Sequence, residues 1–234
     1  MTTATSGGVG LAALWRLLSL GFTAPTPETV AEVEALAAGL AEAEAAGDLG
    51  DLRSALCECG VDELAAEYQR LFGGAVLVPP YEGSYEADPI RQGRELADVA
   101  AFYRAFGAEA HGPAAERPDH VGCELEFLAF LELRRIAALE EGVEHAADVD
   151  DHVAATFLQD HAGRWLPTFF ADVHAACADK PVYRALAALG AAALDAELER
   201  RGITCTPLPR RRGRLAVERD RFDCGAAGAS ESLD

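Results

Sequence analysis

Alanine sets the first limit on what this chain can become: 48 of its 234 residues are Ala, and Leu, Glu and Arg are abundant beside it. These are the strongest helix formers, whereas Ile and Thr, which favour strands, are few. An all-β fold is excluded on that ground, and the apolar residues recur at helical spacing. Leu11, Leu14, Trp15 and Leu18 share one face of a first helix that Gly21 stops. Thr26 as N-cap and Pro27 at the first helical position open a second, with Val30, Val33, Leu36, Ala37 and Leu40 as its stripe. Further helices are expected over 49–57, 62–72 and 90–106, then from a cap at Asp119, from a cap at Asp148, along Trp165 to Cys177, and from Pro181 to Gly202. The expectation is a single all-α bundle of about nine helices over residues 1–202, with a hinge at 108–118 between its halves.

Charge narrows the partners. Acids outnumber Lys plus Arg 39 to 20, a formal charge of −19, and such a surface repels phosphate backbones and anionic lipid. Nucleic acid is excluded as a partner, and a cationic ligand suits. The lone lysine, Lys180, precedes Pro181, so no phosphate-cradling G-x-x-x-x-G-K-[ST] exists. Neither a signal-peptide pattern at Met1–Gly10 nor a membrane-length apolar run is present, so a cytoplasmic protein without stable membrane insertion is expected. The six cysteines lack the dense spacing of a disulfide framework. From Ile203 to Asp234 the chain reads as a flexible tail carrying Arg210, Arg211, Arg212 and Arg214. That tail has six Arg against five acids, so the body before it holds 14 basic and 34 acidic residues.

Motifs for catalysis are scarce. There is no H-E-x-x-H, G-x-S-x-G, G-x-G-x-x-G or C-x-x-C. Cys57-x-Cys59, His120 with Cys123, and His174 with Cys177 each offer two metal ligands, and none makes four, so no metal and no cofactor is assigned. Asp119, His120 and Glu124 could serve acid-base work, but local chemistry favours a helix cap at Asp119 and a hydrogen-bonded core histidine at His120. Trp165, Phe169 and Phe170 line a groove or fill a core, and helical spacing favours the core. Eleven acids between Glu28 and Glu67 face a single Arg53, which makes either a solvated face or a cation-binding one. The arginine run of the tail is a solvated segment or a pseudo-ligand for that acidic body.

Three passages together resemble one family. They are Tyr68 to Tyr85, YQRLFGGAVLVPPYEGSY; Glu116 to Phe130, ERPDHVGCELEFLAF; and His161-x-x-x-Trp165-Leu166-Pro167-x-Phe169. Their order and spacing are similar to those of the TorD/DmsD redox-enzyme maturation chaperones, across about Leu64 to Ala178. Gly83 stands where the family usually has Ser, and Arg117 departs from the pattern before Pro118. The resemblance implies an all-helical, TorD-like chaperone and no enzyme. It would bind the twin-arginine signal peptide and apo form of a molybdopterin-containing oxidoreductase until cofactor is inserted before export. It also implies peptide contacts at Tyr81, Glu82, Ser84, Tyr85, Asp119, His120 and Glu124. Carboxylates beside an apolar groove are what a cationic head followed by a greasy segment requires, and guanidinium both pairs with carboxylate and stacks on Tyr. The alternatives are a chaperone for a non-exported molybdoenzyme subunit of the nitrate-reductase-assembly type, a metal-handling helical protein using Cys and His, and a scaffold for some other acidic-face contact. A monomer is expected, with helix exchange through the 108–118 hinge as the route to a dimer.

Overall fold

A computed structural model describes residues 3–43, 47–108, 116–177, 179 and 181–209. Among them are nine α-helices and no strand: α1 (Thr3–Gly21), α2 (Pro27–Ala43), α3 (Gly47–Glu58), α4 (Val61–Phe72), α5 (Pro89–Ala105), α6 (Val121–Glu140), α7 (Glu144–Phe157), α8 (Gly163–Ala176) and α9 (Pro181–Arg201). A π-helical turn, Leu158–Ala162, joins α7 to α8 without a break, so these three form one continuous rod. The expected all-α bundle is thus found. None of the described helices is long and apolar enough to cross a membrane.

The core is continuous. α1 lies along α6, close enough that the Ser19 hydroxyl donates to the Gly122 carbonyl at 2.8 Å. α9 covers α8 and α3. Glycine lets α9 close onto α8: a Cβ at Gly190 of α9 would stand 2.7 Å from the Phe170 ring of α8. Phe22, Phe72, Phe169, Phe170 and Tyr183 meet edge to face or offset, Phe22 and Phe169 at 5.2 Å. Trp165, Phe169 and Phe170 are buried, which places all three in the core and not in an open groove.

Local signals fix most helix ends. Thr26 caps α2, its Oγ1 accepting from the Thr29 amide at 3.2 Å. Asp88 caps α5 by accepting from Ile90 N at 2.9 Å, with Pro89 following. Two expected caps are corrected. α6 is capped by His120, whose Nδ1 accepts from Gly122 N at 3.1 Å, because Asp119 is turned the other way onto the Gly83 amide. α7 begins at Glu144 after Val143, four residues before Asp148, which lies inside the helix.

The connection from α4 to α5 is ordered by the backbone. Gly74 takes φ +48, a left-handed conformation that suits glycine, and Leu71 O then accepts from both Leu77 N and Val78 N. Further on, Glu82 N donates to Asp119 O and Val121 N to Pro80 O, each at 2.9 Å. This single antiparallel bridge between Tyr81 and His120 staples the loop to the start of α6, and a 3-10 turn, Glu82–Ser84, follows. The hinge expected at 108–118 lies, apart from 108 and 116–118, outside the described residues, as do 210–234 of the expected tail. Residues 203–209 lie against the rod: Leu208 N donates to Arg164 O, and Thr168 Oγ1 donates to Leu208 O at 2.6 Å.

Candidate functional site

The seven residues singled out for peptide contact gather around the staple. Tyr81 and Glu82 are brought onto Asp119 and His120 by the bridge, and Glu124 follows one helical turn later on the buried face of α6. Tyr85 turns inward, its ring 5.3 Å from Trp165 and its hydroxyl donating to Pro79 O. Only Tyr81 and Ser84 reach solvent; Glu82, Tyr85, Asp119, His120 and Glu124 are buried.

Around Tyr81 the surface holds a guanidinium of the chain itself. The Tyr81 hydroxyl donates to Glu116 Oε2 at 3.0 Å, and the Arg117 guanidinium carbon lies 4.9 Å from the centre of the Tyr81 ring. The same guanidinium donates to Asp119 Oδ2 at 2.8 Å, and the Gly83 amide donates to that oxygen at 3.2 Å. A Cβ at Gly83 would stand 3.2 Å from Asp119 Oδ2, so glycine at this departure from the family pattern lets the acid approach. Burial first, then the Glu116 hydrogen bond, push the Tyr81 phenol up to about 12, which keeps it a donor at neutral pH.

Behind this surface runs a buried polar seam. His161 of the π turn is wholly buried and places Nδ1 3.1 Å from Glu82 Oε2 and 3.7 Å from Glu95 Oε2, with Nε2 3.3 Å from Asp98 Oδ2. Glu95 also meets Arg164 at 3.3 Å. Burial drags the His161 imidazolium down, yet the Glu82 hydrogen bond and the charges of Glu82, Glu95 and Asp98 outweigh it, and its pKa is raised. Glu82 is pushed up by burial against the opposing pull of His161. Deeper still, Glu124 accepts from the Trp165 indole at 2.9 Å. Burial, then the charge of Glu82, raise its pKa well above 4.5, against the pull of the Trp165 hydrogen bond. His120 is lowered by burial and stays neutral. Because its Nδ1 accepts a hydrogen bond, its proton sits on Nε2.

Four buried atoms of this seam have no hydrogen-bond partner: Asp119 Oδ1, His120 Nε2, Glu124 Oε1 and His161 Nε2. Buried polar groups are ordinarily satisfied, so this concentration sets the region apart from the rest of the core. Among the described residues, Glu82, Glu95 and His161 alone bring three potential metal-ligand atoms within 4.8 Å of one another. The Cys57, Cys59, Cys123 and His174 pairs noted in the sequence take no part in that group.

Glu95, Asp98, Arg164 and Glu116 were not singled out in the sequence. His161 belonged to the third motif but had no assigned partner, since its contact with Glu82 spans 79 positions. Glu116 opens the second motif, and its place beside Tyr81 was signalled only by that motif.

Comparison with known proteins gives a consistent set. Residues 31–171 match the family described as Nitrate reductase delta subunit. The chlorate reductase assembly chaperone protein of Ideonella dechloratans is 38% identical over 113 residues, 47% of this chain and 57% of that protein. The selenate reductase assembly chaperone protein of Thauera selenatis is 39% identical over 111 residues, 46% of this chain and 56% of the other. The perchlorate reductase assembly chaperone protein of Dechloromonas aromatica (strain RCB) is 30% identical over 144 residues, covering 60% and 62%. The chain therefore spans a little over half the length of these relatives. The crystal structure of a redox enzyme maturation protein from Archaeoglobus fulgidus superposes with a TM-score of 0.54 at 22% identity, over 79% of this chain and 93% of that one, and so shares the fold.

Proposed function

Because the chain belongs to the nitrate reductase delta subunit family of TorD-like chaperones, we propose that it is an assembly chaperone for a molybdopterin-containing oxidoreductase. In this reading it binds the twin-arginine signal peptide and the apo form of its client in the cytoplasm and releases them after cofactor insertion. It performs no catalysis. The observation that carries the reading is Arg117, a residue of the chain itself, seated on the Tyr81 ring and paired with Asp119 beside Glu116. A client arginine needs the same three features: an aromatic face, a carboxylate to receive a forked donor, and a second acid at the rim. The body's excess of acids supplies the long-range attraction that brings a cationic peptide to this face.

Calorimetric titration with a twin-arginine peptide and its twin-lysine counterpart tests this. Arginine is expected to bind more tightly, and Tyr81→Ala to weaken it by about fivefold, the equivalent of losing one cation–π contact of about 1 kcal/mol. Equal binding of the two peptides, or indifference to Tyr81→Ala, would sink it. The family description favours one second reading, a nitrate-reductase-type client that is not exported. In that case a client N-terminus without paired arginines binds as well as the twin-arginine peptide.

A further inference from the structure

The seam behind the Tyr81 loop offers more than a support for it. Glu82 comes from the 3-10 turn, Glu95 from α5 and His161 from the π turn, so three separate elements each contribute one donor atom within 4.8 Å of the others. An ion bonded to carboxylate oxygen and imidazole nitrogen at about 2.0–2.2 Å holds neighbouring donors roughly 3.0–3.5 Å apart. His161 Nδ1 already stands 3.1 Å from Glu82 Oε2 and 3.7 Å from Glu95 Oε2. Those are close to the edges of such a polyhedron.

Two further observations point the same way. On the far side of the imidazole, Asp98 Oδ2 lies 3.3 Å from Nε2, and that nitrogen, fully buried, has no well-aligned hydrogen-bond partner. A carboxylate behind the second nitrogen is the arrangement that fixes the tautomer of a ligating histidine and leaves the other nitrogen's lone pair facing the ion. The charges agree as well. Among the described residues, the ion pairs set Glu82, Glu95 and Asp98 against one guanidinium, that of Arg164, leaving two negative charges that one divalent cation on a neutral imidazole balances.

We propose that Glu82, Glu95 and His161 bind one first-row divalent cation, with Asp98 orienting His161 from behind. Two carboxylates and one imidazole, without a thiolate, select Mn²⁺, Fe²⁺ or Zn²⁺ over copper(I). Bound there, the ion fastens the 3-10 turn to α5 and to the rod, under the loop that presents Tyr81. The inference does not depend on the client reading, which rests on Tyr81, Glu116, Arg117 and Asp119.

The test uses the full chain, stripped with chelator and titrated separately with Mn²⁺ and Zn²⁺ by calorimetry, with the melting temperature as a second readout. One equivalent is expected to bind and to raise the melting temperature. Asp98→Asn lies at a largely exposed side chain and leaves the fold intact; it should weaken binding by about tenfold or more. Glu95→Gln, which removes a ligand, should abolish stoichiometric Mn²⁺ binding. Mn²⁺ has little affinity for thiols, so it separates this site from the cysteines. Absence of one-to-one binding by both ions, equal affinity in wild type and Glu95→Gln, or Zn²⁺ binding that survives Glu95→Gln while Mn²⁺ binds neither protein overturns the proposal.

Discussion

Replacing Glu124 by Gln is expected to stabilise the protein in a pH-dependent way. Glu124 is fully buried, and burial is the largest influence on its pKa; the negative charge of Glu82 adds to it, and the Trp165 hydrogen bond opposes both without prevailing. The folded pKa therefore lies well above the ordinary 4.5 that the unfolded chain would show. A carboxyl raised in this direction takes up a proton on folding. It costs nothing below the unfolded pKa, and the cost grows as pH rises toward the folded value, by about 1.4 kcal/mol for each pH unit in that window. Glutamine has the same shape, keeps an oxygen for the Trp165 indole, and never ionises. Near the low end of the window the variant should match wild type within about 1 kcal/mol, since one neutral acceptor replaces another. Above it, the variant should gain about 1.4 kcal/mol per pH unit until the folded pKa is reached. The assay is urea unfolding in chelator at about pH 5, 6 and 7, comparing extrapolated free energies. A constant difference between the two proteins across that range would refute the claim that burial raises the Glu124 pKa.

Other perturbations separate packing from recognition. Gly190→Ala drives a Cβ to 2.7 Å from the Phe170 ring and should cost about 1–3 kcal/mol, seen as a lower urea midpoint with unchanged slope. His120→Ala removes the acceptor for Gly122 N and should cost about 1 kcal/mol, while His120→Asn should recover most of it; equal losses would show that the ring's packing matters and its cap does not. Arg117→Ala takes a half-exposed guanidinium away from the buried Asp119 carboxylate and should cost about 1–3 kcal/mol of stability, yet tighten twin-arginine peptide binding several-fold by vacating the Tyr81 face. Unchanged peptide affinity would mean that Arg117 and the client do not compete. Association of the peptide, followed by stopped flow, should slow as salt rises toward physiological strength, where screening sets in at about 8 Å.

What the sequence disclosed and what it withheld divide by range. The stripes of the first two helices, the Gly21 stop and the Thr26-Pro27 start depend on neighbours within a turn or two, and the structure has them where local chemistry puts them. The cap of α6 went to His120 because Asp119 had a better use 36 positions away, on the Gly83 amide, and no local rule sees that distance. Asp148 looked like a cap by type alone; the chain entered α7 a turn earlier. The motifs announced that Tyr81, Glu82 and Asp119 to Glu124 belong together, and the bridge between Tyr81 and His120 supplies the physical reason. Burial was the hidden quantity. Acidic side chains read as a contact surface, but Glu82 and Glu124 are enclosed, and their partners Glu95, His161 and Trp165 lie on elements that only tertiary folding brings near.

The π turn has a consequence for how this chain tolerates changes of length. Five residues there span what an ordinary coil covers with fewer, so the rod carries a surplus that sets the phase of everything beyond it. Deleting one residue between Leu158 and Ala162 would remove that surplus and restore regular winding, leaving α8 close to its present phase. Deleting one residue from the regular coil of α7 would instead rotate α8 by about 100°. The indole would then swing off its acid, and Phe169 and Phe170 would leave the interior together. A single-codon deletion is thus absorbed at the turn, whereas one in α7 puts the second half of the rod out of register.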